Sequence, residues 1–347
     1  MWWIYPVYLL DLGAMVYLAF ALGDLVDLLD RKTKLSGAFL GGVLLAVVTS
    51  LPELFTSLSS IFVVNEPEFV VGDIFGSIVF NLVVLMLETL LFLKRLRECK
   101  IKKFHLWNAL FCLAMYGFSA YAFFAPKEYQ LMLGDINAMS VAIFALYILS
   151  LFLQPKEKEE EGEKEETKNR WSVKKTALLF LLCSLGLVGT SIALTYLTKL
   201  IQIELPFLSG SVAGALLLGI GTSIPEVVST AQLLRKKNAD AAIGNMVGSC
   251  TFDFAIFAFS DFLSWRAWNG ATSASGGYLI SERGLFIESL DAFQLEIGGA
   301  IVCALTALFL AYWIFSPSFG KKKGLCFAIT GAIAAVCLAV YLAVFAF

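Results

Sequence analysis

Two carboxylates, Glu53 and Glu226, each end a Thr-Ser-x-Pro-Glu phrase inside a membrane-length apolar segment: Thr49-Ser50-Leu51-Pro52-Glu53 and Thr222-Ser223-Ile224-Pro225-Glu226. A second shared phrase follows each, Gly76-Ser77-Ile78-Val79-Phe80-Asn81 and Gly248-Ser249-Cys250-Thr251-Phe252-Asp253. The acid-to-end-point intervals are 28 and 27 residues. Ionisable groups at bilayer depth are costly, so they are rare and mark ion or substrate paths. Proline inside a helix has no N–H to donate, so Pro52 should free the carbonyl of Val48 and Pro225 that of Gly221. Such carbonyls persist at membrane depth only when buried in protein or lining a hydrated cavity, where they can coordinate a cation. Thr49 and Glu53 are four apart, as are Thr222 and Glu226, Ser77 and Asn81, and Ser249 and Asp253. Where helicity persists, that spacing puts both groups on one face.

The resulting donor set consists of hard oxygens: Glu53, Glu226, Asp253, the Asn81 amide, hydroxyls and backbone carbonyls. Calcium takes about 6–8 oxygens in flexible geometry, whereas softer metals favour Cys or His. The site therefore reads as calcium or sodium. Fully ionised, its three acids exceed the charge of one Ca²⁺. Either one acid binds a proton, or several monovalent cations replace the calcium, and the second case is a basis for exchange.

Positioning these groups requires a membrane. The 347 residues are 59% hydrophobic and 16% charged, with mean hydropathy +0.80. Spans of about 20 apolar residues fill nearly all of the chain: roughly 3–28, 36–63, 69–93, 104–125, 130–153, 175–198, 206–234, 239–263, 291–315 and 324–346. The expected fold is all-α and polytopic, with ten transmembrane helices as two inverted five-helix repeats. Residues 1–153 form the first repeat (motif region 36–92) and 175–347 the second (motif region 209–263). Between them, 154–174 carries the mixed-charge run Lys156-Glu157-Lys158-Glu159-Glu160-Glu161, an acidic solvated linker unable to pack a core. Ser36-Gly37 and Ser209-Gly210 each precede their acid by 17 residues, and Gly41 matches Gly214. Glycines 37, 41, 72, 76, 210, 214, 244 and 248 read as helix-packing positions.

Orientation follows from the basic residues. Alternate loops hold 22 of the 26 Lys and Arg, which makes them and the linker cytoplasmic and both termini extracytoplasmic. An odd number of spans per half then inverts the second half, the plan of many secondary transporters with a mid-membrane site. Trp2 and Trp3 read as an interfacial anchor, and no cleavable signal peptide is expected. The seven cysteines lack metal-ligand spacing and suggest no disulfides. The single histidine, His105, follows the basic stretch 100–103 and reads as interfacial. Asp11, Asp24, Asp27 and Glu88 have no repeat partners and read as structural or interfacial.

The paired phrases resemble the two α-repeats of the cation/Ca²⁺ antiporter superfamily, most closely its Na⁺/Ca²⁺ exchanger branch. The resemblance is strong over 36–92 and 209–263. It implies that Glu53 and Glu226 are the main calcium ligands and that Asn81 and Asp253 complete a central four. Thr49, Ser50, Ser77, Thr222, Ser223 and Ser249 would line surrounding sodium sites. It also implies ten helices in which spans 1 and 6 slide against a core of spans 2, 3, 7 and 8. Two positions depart from the pattern: Val48 stands where the second repeat has Gly221, and Asp73 where it has Asn245. Asp73 is placed near the outer end of span 3, binding cations or facing solvent. The short linker leaves no room for a cytoplasmic calcium-sensing domain.

The expected activity is antiport of Na⁺ for Ca²⁺ by alternating access, electrogenic, in the cell membrane. The alternatives are a Ca²⁺/H⁺ antiporter or a K⁺-dependent Na⁺/Ca²⁺ exchanger. Pairing Asn81 with Asp253 resembles the sodium branch. The partners are Ca²⁺ and Na⁺, with H⁺ or K⁺ as further ions, and the lipid bilayer. No cofactor, nucleic acid or obligatory protein partner is expected, and the sequence pI of about 5.6 argues against a nucleic-acid role. An enzyme is not expected either, because an intramembrane hydrolase would need a nucleophile or zinc set, and HExxH and GxSxG are both missing.

Overall fold

A computed structural model describes residues 2–32, 49–97, 99, 101–125, 129, 131–133, 136–153, 172–235, 239–269, 290–315 and 323–344. The helices are α1 (Ile4–Lys32), α2 (Leu51–Phe62), α3 (Pro67–Leu91), the single turn α4 (Leu93–Leu96), α5 (Phe104–Phe124), α6 (Ala138–Phe152) and α7 (Val173–Glu204). They continue with α8 (Gly210–Ala213), a π-helical segment (Gly214–Gly219), α9 (Ile220–Arg235), α10 (Ala239–Asn269), α11 (Leu290–Phe315) and α12 (Lys323–Val344). Two-residue strands β1 (Met132–Leu133) and β2 (Ile136–Asn137) pair antiparallel before α6. Among the described residues, eight helical segments are long and apolar enough to cross a membrane. Residues 36–48 of the second expected span, with Gly37, Gly41 and Val48, lie outside the described residues, as do 154–171 of the linker.

Local chemistry sets the element ends. After α2, the Ser59 carbonyl accepts from Val63 N at 2.9 Å and Val64 N at 3.0 Å, and Ser60 O accepts from Glu66 N at 2.8 Å. Asn65 takes φ 52° there, a left-handed conformation that asparagine tolerates better than most residues. Pro67 then starts α3, where its missing N–H leaves nothing unpaired. Asn137, Ser172 and Ser209 cap α6, α7 and α8 by accepting backbone N–H bonds.

The fifth expected span, 130–153, is corrected by the structure. Only its Ala138–Phe152 part is helical, 15 residues, about 22 Å at 1.5 Å per residue and short of a hydrocarbon core of about 30 Å. The β1–β2 hairpin occupies the start of the segment instead. An apolar run that contains Gly134-Asp135 reads equally well as strands around a turn.

The bundle has a dense centre. Buried residues make up 83% of the membrane-length window in α3 and 72% in α10, but 17% in α7. An edge-to-face aromatic cluster joins α3, α5 and α10: Phe75 to Phe257 at 5.3 Å, Phe75 to Phe254 at 5.7 Å, and Tyr116 to Phe254 at 4.8 Å between ring centroids. Such pairs contribute about 0.5–1.5 kcal/mol beyond area burial. By contrast, α1 pairs with α7 in a second apolar cluster through Met15, Leu22, Leu187 and Leu194, tied to the centre by Phe69 and Leu218. The outer face of α7 exposes Leu178, Leu181, Leu182 and Leu185, which suits hydrocarbon rather than water.

Contacts between elements correspond across the two halves. α2 packs on α7 as α9 packs on α1, α3 on α12 as α10 on α6, and α3 on α11 as α10 on α5. α2 meets α10 as α9 meets α3. The motif-bearing helices all contact the opposite half, as do α1 with α7 and α5 with α11.

Candidate functional site

The helix carrying the first acid is interrupted at Ser50, between helical Thr49 and Leu51, so Pro52 lies in the first turn of α2 rather than inside a continuous helix. This corrects the four-residue argument for the first repeat: Thr49 does not share an unbroken helical face with Glu53. Instead Thr49 stands beside Glu226, and Thr222 beside Glu53. Each acid thus meets the hydroxyl of the other half. In the second repeat Pro225 does lie inside α9, and the irregular backbone is displaced upstream into the Gly214–Gly219 π segment.

That segment exists because two helices touch backbone to backbone. A Cβ on Gly76 would stand 2.6 Å from Ala215 Cα, one on Gly214 would stand 2.7 Å from Phe69 O, and one on Gly219 would stand 2.8 Å from Asp73 O. Only glycine admits such an approach. Carbonyls of the segment then accept side-chain bonds: Leu217 O from Tyr8 Oη (2.6 Å), Leu218 O from Thr222 Oγ1 (3.0 Å) and Gly219 O from Ser77 Oγ (3.1 Å). Gly72, Gly76 and Gly214 are therefore packing glycines as expected, whereas a Cβ on Gly248 would meet nothing within 4 Å.

Glu53, Glu226, Asp253 and Asn81 are fully buried. Beyond the approach of Thr222 to Glu53 and of Thr49 to Glu226, no carboxylate oxygen of the three acids and no polar side-chain atom of Asn81 makes a regular hydrogen bond. Ser223 Oγ is likewise buried and unpartnered, while Ser50 Oγ and Ser249 Oγ share a bond of 3.0 Å that joins the halves at the site. Glu226 faces Glu53 and Asp253 electrostatically, and Asp253 faces Glu53. Among the described residues no three His, Cys, Asp or Glu side chains close into a chelate. The acids form an oxygen-lined, acidic interior rather than a tight metal cage. Buried charge of this kind demands a mobile counter-cation or protons.

Asp73 does not face solvent. It is fully buried, accepts a hydrogen bond from Thr56 Oγ1, and lies 3.4 Å from Thr222 Oγ1. Asn245 matches it in the second half, donating to Ser229 Oγ at 3.0 Å and Thr230 Oγ1 at 3.1 Å. His105, expected at the interface, is buried, with its ring against Gly244. Tyr8 escaped sequence reasoning because α1 carries no repeated phrase. The matching places of Thr56 and Ser229, three residues after each acid, were the one available signal for the ligands of Asp73 and Asn245.

The architecture defines a polytopic helical membrane protein with paired, buried acidic motifs. The sodium/calcium exchanger protein family matches residues 4–155 and 175–347. The chain belongs to that family, within the cation/Ca²⁺ antiporter superfamily. An uncharacterised membrane protein of Methanocaldococcus jannaschii, MJ0091, is 25% identical over 233 residues, 66% of this chain and 71% of that protein. Among solved structures, native YfkE is similar at TM-score 0.62 and 15% identity, covering 99% of this chain and 92% of that one. The sodium-calcium exchanger NCX_Mj gives 0.56 at 22%, over 98% and 99%. The H⁺/Ca²⁺ exchanger CAX gives 0.59 at 12%, over 98% and 88%.

Proposed function

We propose that the protein is a secondary active antiporter that exchanges Na⁺ for Ca²⁺ by alternating access. The observation that carries this is the electrostatic contact of Glu53, Glu226 and Asp253, three buried acids contributed by both halves, with Asn81 likewise buried and its side-chain amide unpartnered. Glu53 and Glu226 bind calcium with Asn81 and Asp253. Thr49, Ser50, Ser77, Thr222, Ser223 and Ser249 line the sodium positions. A cargo site must hold its ion weakly enough to release it, and dispersed oxygens that gather around the ion only when it arrives satisfy that need.

The ten-helix plan, with repeats over 1–153 and 175–347, is supported by the correspondence of contacts between halves. With both termini outside, the second half is inverted, and the sparsely buried α1 and α7 are the elements that slide over the dense centre. The cell membrane is the expected location.

A Ca²⁺/H⁺ exchange reading is favoured by one observation, the additional buried acid Asp73 hydrogen-bonded within the site. Calcium uptake into proteoliposomes separates the two. Uptake driven by an outward Na⁺ gradient at uniform pH supports the first reading. Uptake driven only by a proton gradient in sodium-free buffer replaces it, and a requirement for K⁺ together with Na⁺ would identify the K⁺-dependent form.

A further inference from the structure

Glu296 lies outside every motif, in α11 where it packs on α5, and is only 1% exposed. Its Oε1 is 2.8 Å from Ser119 Oγ, and its Oε2 is buried without a partner. Ser119 has one hydroxyl hydrogen but three acceptors in reach, since Met115 O stands at 3.1 Å and Tyr116 O at 3.0 Å. A second unpartnered group is near: the buried Tyr116 hydroxyl rests on α11 at Gly299, one turn from Glu296, in a slot that a Cβ would fill. The titratable groups on the elements packed against α11 include Asp73 and Glu88 on α3, Cys112, His105 and Tyr116 on α5, and Cys337 and Tyr341 on α12. Of these, Tyr116 interacts electrostatically with Glu296.

We propose that Glu296, with Ser119 and Tyr116, forms a proton-binding site separate from the cation site, and that its protonated form is the transport-competent one. A bare carboxylate there would be buried without a countercharge, at a cost that neutralisation removes. A proton on Oε1 also resolves the hydrogen count. Glu296 then donates to Ser119 Oγ, Ser119 donates to a carbonyl of its own helix, and Oε2 is left as a free acceptor. The cluster offers too few oxygens for calcium, which takes about 6–8. The link to transport is Tyr116, whose ring packs at 4.8 Å on Phe254, the neighbour of Asp253. Deprotonation would place a charge behind that contact. The protonation of Glu296 does not depend on which cation drives exchange, whereas its coupling to transport rests on the Na⁺/Ca²⁺ reading.

Infrared spectroscopy of the purified full-length protein tests it directly. The difference between wild type and Glu296→Gln should contain a carboxylic C=O stretch that moves down in D₂O, and Ser119→Ala should shift that band. Loss of carboxylate stretches instead, or a band unmoved in Ser119→Ala, overturns the assignment. In proteoliposomes, calcium flux of the wild type should fall as pH is raised on both sides together, while Glu296→Gln stays active and flat. Parallel decline of the two proteins overturns the coupling to transport. Should the Gln variant fail to fold, the Ser119→Ala band shift still decides.

Discussion

Ser50 Oγ and Ser249 Oγ, 199 residues apart, share a buried hydrogen bond of 3.0 Å. It ties the break before α2 to the middle of α10, so the two halves are fastened at the level of the acids. A neutral hydrogen bond contributes about 0.5–1.5 kcal/mol net. Ser50→Ala and Ser249→Ala should each lower thermal stability in detergent by that order, and the double variant should cost scarcely more than either single one. Strictly additive losses would mean that the two hydroxyls act independently.

Neutralising the central acids should separate transport from folding. Glu53→Gln and Glu226→Gln should nearly abolish calcium flux while the proteins remain monodisperse and inserted, because each removes a proposed anionic ligand without changing the fully buried shape. Glu88→Gln, at the far end of α3 and without a repeat partner, should transport nearly as wild type. Near-normal flux in either site variant would remove that residue from the cation site.

The glycines divide by what faces them. Gly76→Ala would drive a methyl to 2.6 Å from Ala215 Cα, and overpacking against backbone costs about 1–3 kcal/mol. Gly248→Ala meets open space and should be neutral or stabilising by up to about 1 kcal/mol, since alanine is the better helix former. Thermal melts of the two variants in the same detergent give the comparison, and equal effects would contradict the packing described.

How far the sequence reaches can be judged from these same residues. The burial of Glu53, Glu226 and Asp253 was legible because an acid in an apolar span is conspicuous, and that of Asn81 because its phrase recurs in register. Most span positions were legible too, since hydropathy depends on composition alone. The exchange of partners, with Thr49 beside Glu226 and Thr222 beside Glu53, was not, because it follows from the interruption at Ser50 and from how the halves dock. The π segment was equally hidden, since it depends on Gly72 and Gly76 meeting Gly214 and Gly219 across a distance of sequence. Asp73 and His105 lie near the starts of their helices as expected but are buried rather than exposed, because a polar residue near a span end looks solvated until its packing partners are known. The hairpin before α6 was lost in an apolar run that reads as helix or strand.

Topology can be read chemically. Single cysteines in an otherwise cysteine-free protein should be shielded from impermeant reagents in intact cells when placed at positions 32, 158, 236 and 322, which belong to the basic loops. They should be labelled at 127 and 283. Labelling of position 236 from outside would refute the inverted arrangement of the second half.

The net charge moved per cycle is the sharpest consequence of the site's composition. Three acids and one amide can hold several Na⁺ or one Ca²⁺, so a full cycle should carry charge whenever more than two Na⁺ leave for each Ca²⁺ that enters. Each elementary charge crossing the membrane is worth roughly 2.3 kcal/mol per 100 mV. An inside-positive potential, imposed on proteoliposomes with an outward Na⁺ gradient, should therefore accelerate calcium uptake, and an inside-negative one should slow it. Rates independent of the imposed potential would refute electrogenic exchange while leaving sodium coupling to the gradient measurement. Acceleration by inside-negative potential would mean that net positive charge enters with calcium, as uncompensated uptake or exchange for a single monovalent cation would require.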